Sequence, residues 1–238
     1  MIARVVQQQD NAHPAKTAVQ LRPPRSSIKA LRVEPVLPRI VHDIVAQRHY
    51  LHSMPAAARK CFGIYFDNEL TGAVVFTSGA RQGYKLLSAA KPQEVATLAR
   101  LWLIDDLPKN AESRVIGIVL RYLSRQTDWK LLLSYADPNA GHVGTIYKAT
   151  GWIYLGQQEP SSYLDLGDGK LLHPRTVYER YGSNAVGHLR RTGIDARRRP
   201  VASKHRYAYV LHPAWRWRLR DMAQPYPTKK RQILEAQP

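Results

Sequence analysis

The 238-residue chain is 44% apolar and has a single cysteine, Cys61, so it can bury one ordinary core but cannot form an intramolecular disulfide or a Cys-rich zinc module. Residues 1–33 hold six Lys/Arg against one acid, 34–169 fourteen against thirteen, and 170–238 sixteen against four, so the formal charge of +18 lies in the flanks. A neutral middle between basic flanks points to a polyanion-facing element. There is neither a signal-peptide core nor an apolar stretch of bilayer length, so a protein of the reducing cytoplasm without membrane partners is expected.

In chain order, the polar, proline-bearing residues 1–30 read as a mobile basic arm. A short strand is expected over 31–34. Leu37, Ile40, Val41, Ile44 and Val45 fall at helical spacing and predict a helix over 37–50. Two apolar runs, 60–67 and 70–78, are joined by Asp67-Asn68-Glu69, which is hairpin chemistry. A third strand is expected over 95–105. Val115, Ile116, Val119, Tyr122 and Leu123 share one face of a helix over 112–126. The apolar run 131–135 reads as a central strand, followed by a short helix over 143–150 stopped at Gly151 and a strand over 152–155.

Beyond this come a helix over 171–181 with Pro174 in its first turn, a basic loop over 190–206, a strand over 207–211 and a short helix over 215–222. The expected division is therefore the arm, a catalytic α/β domain over 31–169, and a basic, aromatic-rich DNA-binding extension over 170–238. In that last third, Arg197, Arg198, Arg199, Lys204 and Arg206 stand near Trp215 and Trp217. Cations beside stacking rings are the combination that holds a phosphate backbone and an exposed base.

The element order, ending in Tyr147-Lys148-Ala149-Thr150-Gly151-Trp152, resembles the GCN5-related N-acetyltransferase fold, a mixed sheet flanked by helices. The resemblance implies that acetyl-coenzyme A lies in a splay between the fourth and fifth strands, here 95–105 and 131–135. It also implies a pyrophosphate on the N-terminus of the helix between them, where unpaired amides favour anions. That start is Lys109-Asn110-Ala111-Glu112-Ser113-Arg114, and Lys109, Asn110, Ser113 and Arg114 are the implied donor-binding residues. The Gly-rich loop usual there is absent, with only Gly117 remaining.

A closer resemblance is to the Mom family of phage DNA-modification proteins. It is carried by His49-Tyr50, Arg100-Leu101-Trp102, the 109–114 block, Ser134-Tyr135-Ala136-Asp137 and Gly141-His142-Val143-Gly144-Thr145-Ile146-Tyr147. Further blocks are His173-Pro174-Arg175, Lys204-His205-Arg206-Tyr207 and Pro225-Tyr226-Pro227, so the match spans 49–227. Such proteins place a carbamoylmethyl (acetamido) group on adenine N6 in double-stranded DNA, which protects that DNA from restriction. The resemblance implies functional roles for Arg100, Ser113, Asp137, Tyr147, Tyr50 and Tyr65, with an acyl-coenzyme A donor. Plain acetyl transfer does not give the acetamido product, so a nitrogen source and a further step are implied as well.

Residue chemistry leaves alternatives at each position. Asp137 follows a central strand and is either a base at the sheet edge or the cap of the Asp137-Pro138-Asn139 turn. Tyr147 is either a proton donor to a departing thiolate or a core tyrosine. Arg100, in an apolar strand, either binds an anion or pairs with Glu94 or Glu112. His49, His52 and His142 with Asp137 match no tight metal motif, and no metal is expected. Two other functions remain open: an N-acetyltransferase on a protein or small amine, and a non-catalytic DNA-binding protein on an acetyltransferase scaffold.

Overall fold

The structure is a computed structural model describing residues 27–55, 57–78 and 82–227; the arm expected over 1–30 lies, up to residue 26, outside the described residues. The expected class is observed, a mixed α/β sheet with helices on its faces. Strand β1 (Arg32–Val36) is followed by helix α1 (Pro38–Arg48), which opens on a proline whose missing N–H costs nothing in a first turn. The hairpin β2 (Ala58–Phe66) and β3 (Glu69–Ser78) turns on two residues, Asp67 and Asn68, both with positive φ (51° and 65°). That backbone matches the right-handed twist of the flanking strands.

Strand β4 (Val95–Leu103), helix α2 (Ala111–Gln126) and strand β5 (Leu131–Ala136) form a crossover unit, and β4 and β5 are parallel from Val95↔Leu131 to Leu98↔Ser134. Helix α3 (Thr145–Ala149) and strand β6 (Ile153–Gln157) follow. Among the described residues the large sheet runs β1-β2-β3-β4-β5-β10-β6, with β10 at His205–Val210. Helix α2 lays Ala111, Val115, Ile116, Val119, Leu120 and Leu123 on one face of that sheet. Each such burial stabilises by about 2 kcal/mol. On the other face α1 covers Cys61, Ala73 and Val75. A 3₁₀ helix over Pro213–Met222 and a shorter one over Gly83–Leu86 cover Leu131, Leu133, Ala208 and Val210.

The last third differs from the expected extension over 170–238, because β10 lies between β5 and β6 within the large sheet. The strand expected over 207–211 is present as β10, but nothing in its own residues indicated that it joins the large sheet. Between β6 and β10 the chain inserts a separate unit. It comprises β7 (Ser161–Asp165), β8 (Leu171–Leu172), α4 (Pro174–Tyr181), α5 (Val186–Arg191) and β9 (Arg197–Val201) around Leu164, Val177, Leu189 and Ala196. Its sheet order is β8-β7-β9, so the expected basic loop over 190–206 contains a paired strand.

Candidate active site

Past Leu98 and Ser134 the two parallel strands no longer pair, and a cleft of about 730 Å³ opens between them. Its walls are β4 from Leu98 to Leu103, Tyr135 and Ala136 of β5, the first turn of α2, the loop from Gly141 to Ile146, and Arg48, His49 and Tyr50 at the end of α1. Leu98, Leu101, Ile146 and Ala149 give it an apolar side suited to an alkyl-amide chain. On this side the outer half of β4 has no strand partner for its peptide groups. At the α2 start, Asn110 and Ser113 line the cleft, whereas Lys109 and Arg114 are exposed and outside its lining. Glu112 also lines it, in a first turn whose amides favour anions. An acyl-coenzyme A donor is thus matched by the apolar wall and helix amides, with two of the four implied residues in reach.

Tyr147 is 8% exposed on α3, and its Oη lies 2.7 Å from Ser134 Oγ, which in turn is 3.0 Å from the Leu98 carbonyl. Ser134 has one proton for two acceptors, so the pair has two polarities. When Ser134 serves the carbonyl, Tyr147 donates to Ser134; when Ser134 turns to Tyr147, the phenol proton is free for the cleft. Burial pushes the Tyr147 phenol up to about 12, so it remains a donor at neutral pH. The helix carrying it starts at Gly144, φ +76°, where an added Cβ would sit 2.5 Å from the Tyr207 ring. Tyr207 in turn donates to the Val143 carbonyl at 2.5 Å and lies 4.9 Å from the Tyr147 ring.

Arg100 has no carboxylate partner among the described residues, so neither Glu94 nor Glu112 is its mate. It donates to the Ser53 and Ala99 carbonyls at 3.0 and 2.8 Å and keeps its charge at the cleft wall. Glu94 instead pairs with Lys130 at 2.8 Å. Beside Arg100 lies His49, 5% exposed. The Leu51 amide donates to its Nδ1 at 3.1 Å, which places the proton of the neutral ring on Nε2. Burial, helped by Arg100, His142 and His52, lowers His49 to about 4. It is therefore a neutral donor at physiological pH. Tyr50, 41% exposed, lies between the rings of His49 (4.5 Å) and His142 (5.3 Å). Among the described residues no three His, Cys, Asp or Glu gather as a metal-binding set. Tyr65 lines no part of the cleft; it stands on β2 under the Arg32 guanidinium.

Asp137 does what a turn carboxylate does. It caps the short turn after β5 by accepting from the Asn139 amide at 3.0 Å, and it pairs with Lys204 at 3.0 Å. Burial would raise its carboxyl, but hydrogen bonds from Lys204 and Asn139 outweigh that and hold it below its ordinary range, which weakens it as a base. Asn139 completes a joint, donating to the Ala202 carbonyl (3.1 Å) and accepting from the Ala202 amide (3.2 Å). The inserted unit is thereby fastened to the cleft's rim. Tyr163 of β7 acts electrostatically on both Tyr50 and Lys204 and meets His173 edge-on at 5.3 Å.

Because Arg197, Arg198 and Arg199 form a strand, they alternate. Arg197 and Arg199 stand opposite Asp165 and Tyr163, while Arg198 stands opposite buried Leu164 and donates to the Asn184 carbonyl at 3.3 Å. Only the first two share a face with Tyr163. Arg206 is half-buried, with its Nε enclosed and unpaired among the described residues, so it is no surface contact. Trp215 and Trp217 are far from the cleft. They gather at Lys130, before the first residue of β5, whereas the cleft opens past its fourth, ~13 Å away at ~3.3 Å per residue.

Ser134, Asn139 and Tyr163 were not singled out in the sequence. Ser134 alone carried a signal, as a hydroxyl in the leucine run Leu131-Leu132-Leu133.

The profile of the Mom protein family matches residues 30–228. The methylcarbamoylase mom of Escherichia phage Mu is 28% identical over 213 residues, covering 84% of each chain. Among solved structures, a spermidine N-acetyltransferase from Vibrio cholerae has a TM-score of 0.45 at 10% identity, over 77% of this chain and 95% of that one. An N-acetyltransferase from Staphylococcus aureus Mu50 gives 0.41 at 12%, over 76% and 97%.

Proposed function

The chain belongs to the Mom protein family, and on that premise we propose that it transfers a carbamoylmethyl-type group to adenine N6 in double-stranded DNA, using an acyl-coenzyme A donor. The observation that carries the reading is the cleft between the diverging ends of β4 and β5, with a basic unit fastened to its rim. An acyl-coenzyme A would supply an activated thioester. Asn110, Ser113 and the first-turn amides of α2 would hold its phosphates. In its outward polarity, Tyr147 would hold its phenol proton toward the leaving sulfur, and the proton that adenine N6 gives up on attack would restore the phenol, with Ser134 keeping the oxygen oriented. Arg100 and the Nε2–H of His49 would stabilise negative charge on an acyl oxygen. Tyr50 offers a ring face at the rim for an adenine turned out of its stack.

The acid–base roles first expected of Asp137 pass to these groups, and Asp137 holds the joint with Lys204. Acyl transfer alone places an acetyl group on nitrogen. The carbamoylmethyl product contains one nitrogen more and joins N6 to a methylene rather than to a carbonyl carbon, so a further reaction that supplies the nitrogen and changes the carbon bonded to N6 belongs to the pathway. Restriction protection in the host cytoplasm follows as the biological role.

Mass spectrometry of nucleosides from DNA of cells expressing the chain tests this. A new adenine species, absent with Tyr147→Phe, is expected. Unmodified DNA together with acetylated amines or proteins would transfer the reading to an ordinary N-acetyltransferase.

A further inference from the structure

At the end of the sheet away from the cleft, cations and rings alternate. Lys130 Nζ lies 4.5 Å from the centre of the Trp215 ring. Arg218 Cζ lies 4.6 Å from that ring and 5.3 Å from Trp217. The ladder Lys130, Trp215, Arg218, Trp217 ends on an indole that is 62% exposed. It is rigidly held: Leu219 is fully buried in the core beneath, and Arg218 donates to the Ser88 carbonyl at 2.9 Å. In a 3₁₀ helix side chains three apart eclipse, so Arg218 rides over Trp215 and Arg220 shares a row with Trp217. Among the described residues Arg216, Arg218 and Arg220 have no carboxylate partner, and a ring, unlike a carboxylate, leaves a cation's charge unneutralised.

We propose that this face is a second nucleic-acid site, which takes a single strand with an unpaired base on Trp217 and its phosphates on Arg218 and Arg220. A flat exposed ring suits an unpaired base, because every base has a π face and none is excluded by sequence. A lone exposed indole in a soluble chain is otherwise a liability for association. This face and the cleft lie at opposite ends of β5. The site is therefore distinct from the rim formed by Arg197, Arg199 and Lys204, and it stands whether or not the cleft modifies DNA.

The test is fluorescence anisotropy with two probes: a fluorescein-labelled deoxythymidine oligomer of about fifteen nucleotides, and a duplex of about twenty base pairs. Trp217→Ala and the double variant Arg218→Ala/Arg220→Ala should each weaken oligomer binding roughly tenfold and leave duplex binding within about twofold. Arg197→Ala/Arg199→Ala should do the reverse. Trp217 is exposed, so an unchanged melting temperature is expected and separates lost binding from lost fold. The proposal is overturned if Trp217→Ala binds the oligomer as the wild type does, or if oligomer and duplex affinities fall together. It is equally overturned if poly-glutamate, added as an acidic polypeptide probe, competes for the face while the oligomer does not.

Discussion

The two ends of the large sheet tie down their cations in opposite ways. At the cleft end, carboxylates do it: Lys204 is held by Asp137, Arg199 by Asp165 at 3.7 Å and Arg197 by Asp195 at 2.9 Å. At the far end Glu94 holds Lys130, but Arg218 is held by the rings of Trp215 and Trp217. A shielded carboxylate such as Asp137 fixes a cation and cancels its charge, which suits a joint, whereas the exposed pairs of Arg197 and Arg199 leave both guanidinium groups open to exchange a carboxylate for a phosphate. An indole fixes it and leaves the charge exposed, which suits a surface for anions. The same side chains thus build a hinge point at one end and a binding face at the other.

The strongest way to break the cleft end is Gly144→Ala. The added methyl meets the Tyr207 ring and the residue would hold a positive φ, so a loss of about 3 kcal/mol is expected in urea denaturation, together with loss of modification. Next is Lys204→Met, which strands a carboxylate that is only 10% exposed. About 2 kcal/mol should be lost, and limited proteolysis should cut faster within 161–201. At the far end Arg218→Met strands no carboxylate and should cost under about 1 kcal/mol, because the new stem still packs on Trp215. Equal losses at both ends would erase the contrast.

On DNA, Arg197→Ala/Arg199→Ala should make the slope of log affinity against log salt shallower by roughly 1.8, whereas Arg198→Ala should leave it nearly unchanged. Equal effects of all three would mean that the strand's alternation does not govern contact.

The smallest expected effect is on acid stability. His49 is held near 4 in the fold against 6.5 ordinarily, so between these values the unfolded chain binds the extra proton. Stability from this group is complete above about pH 6.5 and declines as pH falls toward 4. Asp137, depressed below 3.8, contributes above its ordinary value and is lost only at lower pH. Denaturation of His49→Gln across this range should show a flatter decline between pH 6.5 and 4. The glutamine amide keeps a donor near the Nε2 position, so activity near neutral pH should persist.

Much of the fold could be read from the chain. Helix α2 announced itself by an apolar stripe, the β2–β3 hairpin by its Asp-Asn turn, and the parallel pair β4 and β5 by two apolar runs with a helix between. What could not be read was long-range. Nothing local in His205–Val210 says that it enters the sheet between two strands formed earlier. Arg197-Arg198-Arg199 looked like loop chemistry because strand pairing overrode charge. The site was half legible for the same reason. Arg100 and Tyr147 stood out as polar groups among apolar neighbours, but the partner of Asp137 is 67 residues away in sequence, at Lys204, and Trp217 lies at the end of the sheet away from the cleft.

The position of β10 governs how this protein can be made. Among the described residues strand β6 pairs only with β10, and on that side β5 also has no other neighbour. During synthesis both wait with open backbone edges until residues 205–210 have emerged, after the whole inserted unit. A nascent or truncated chain ending near residue 200 therefore displays two unpaired hydrophobic strands, the template on which aggregates grow. The basic unit cannot be shed as a separate domain by cutting the chain behind it, and the enzyme's solubility depends on its closing strand arriving in time.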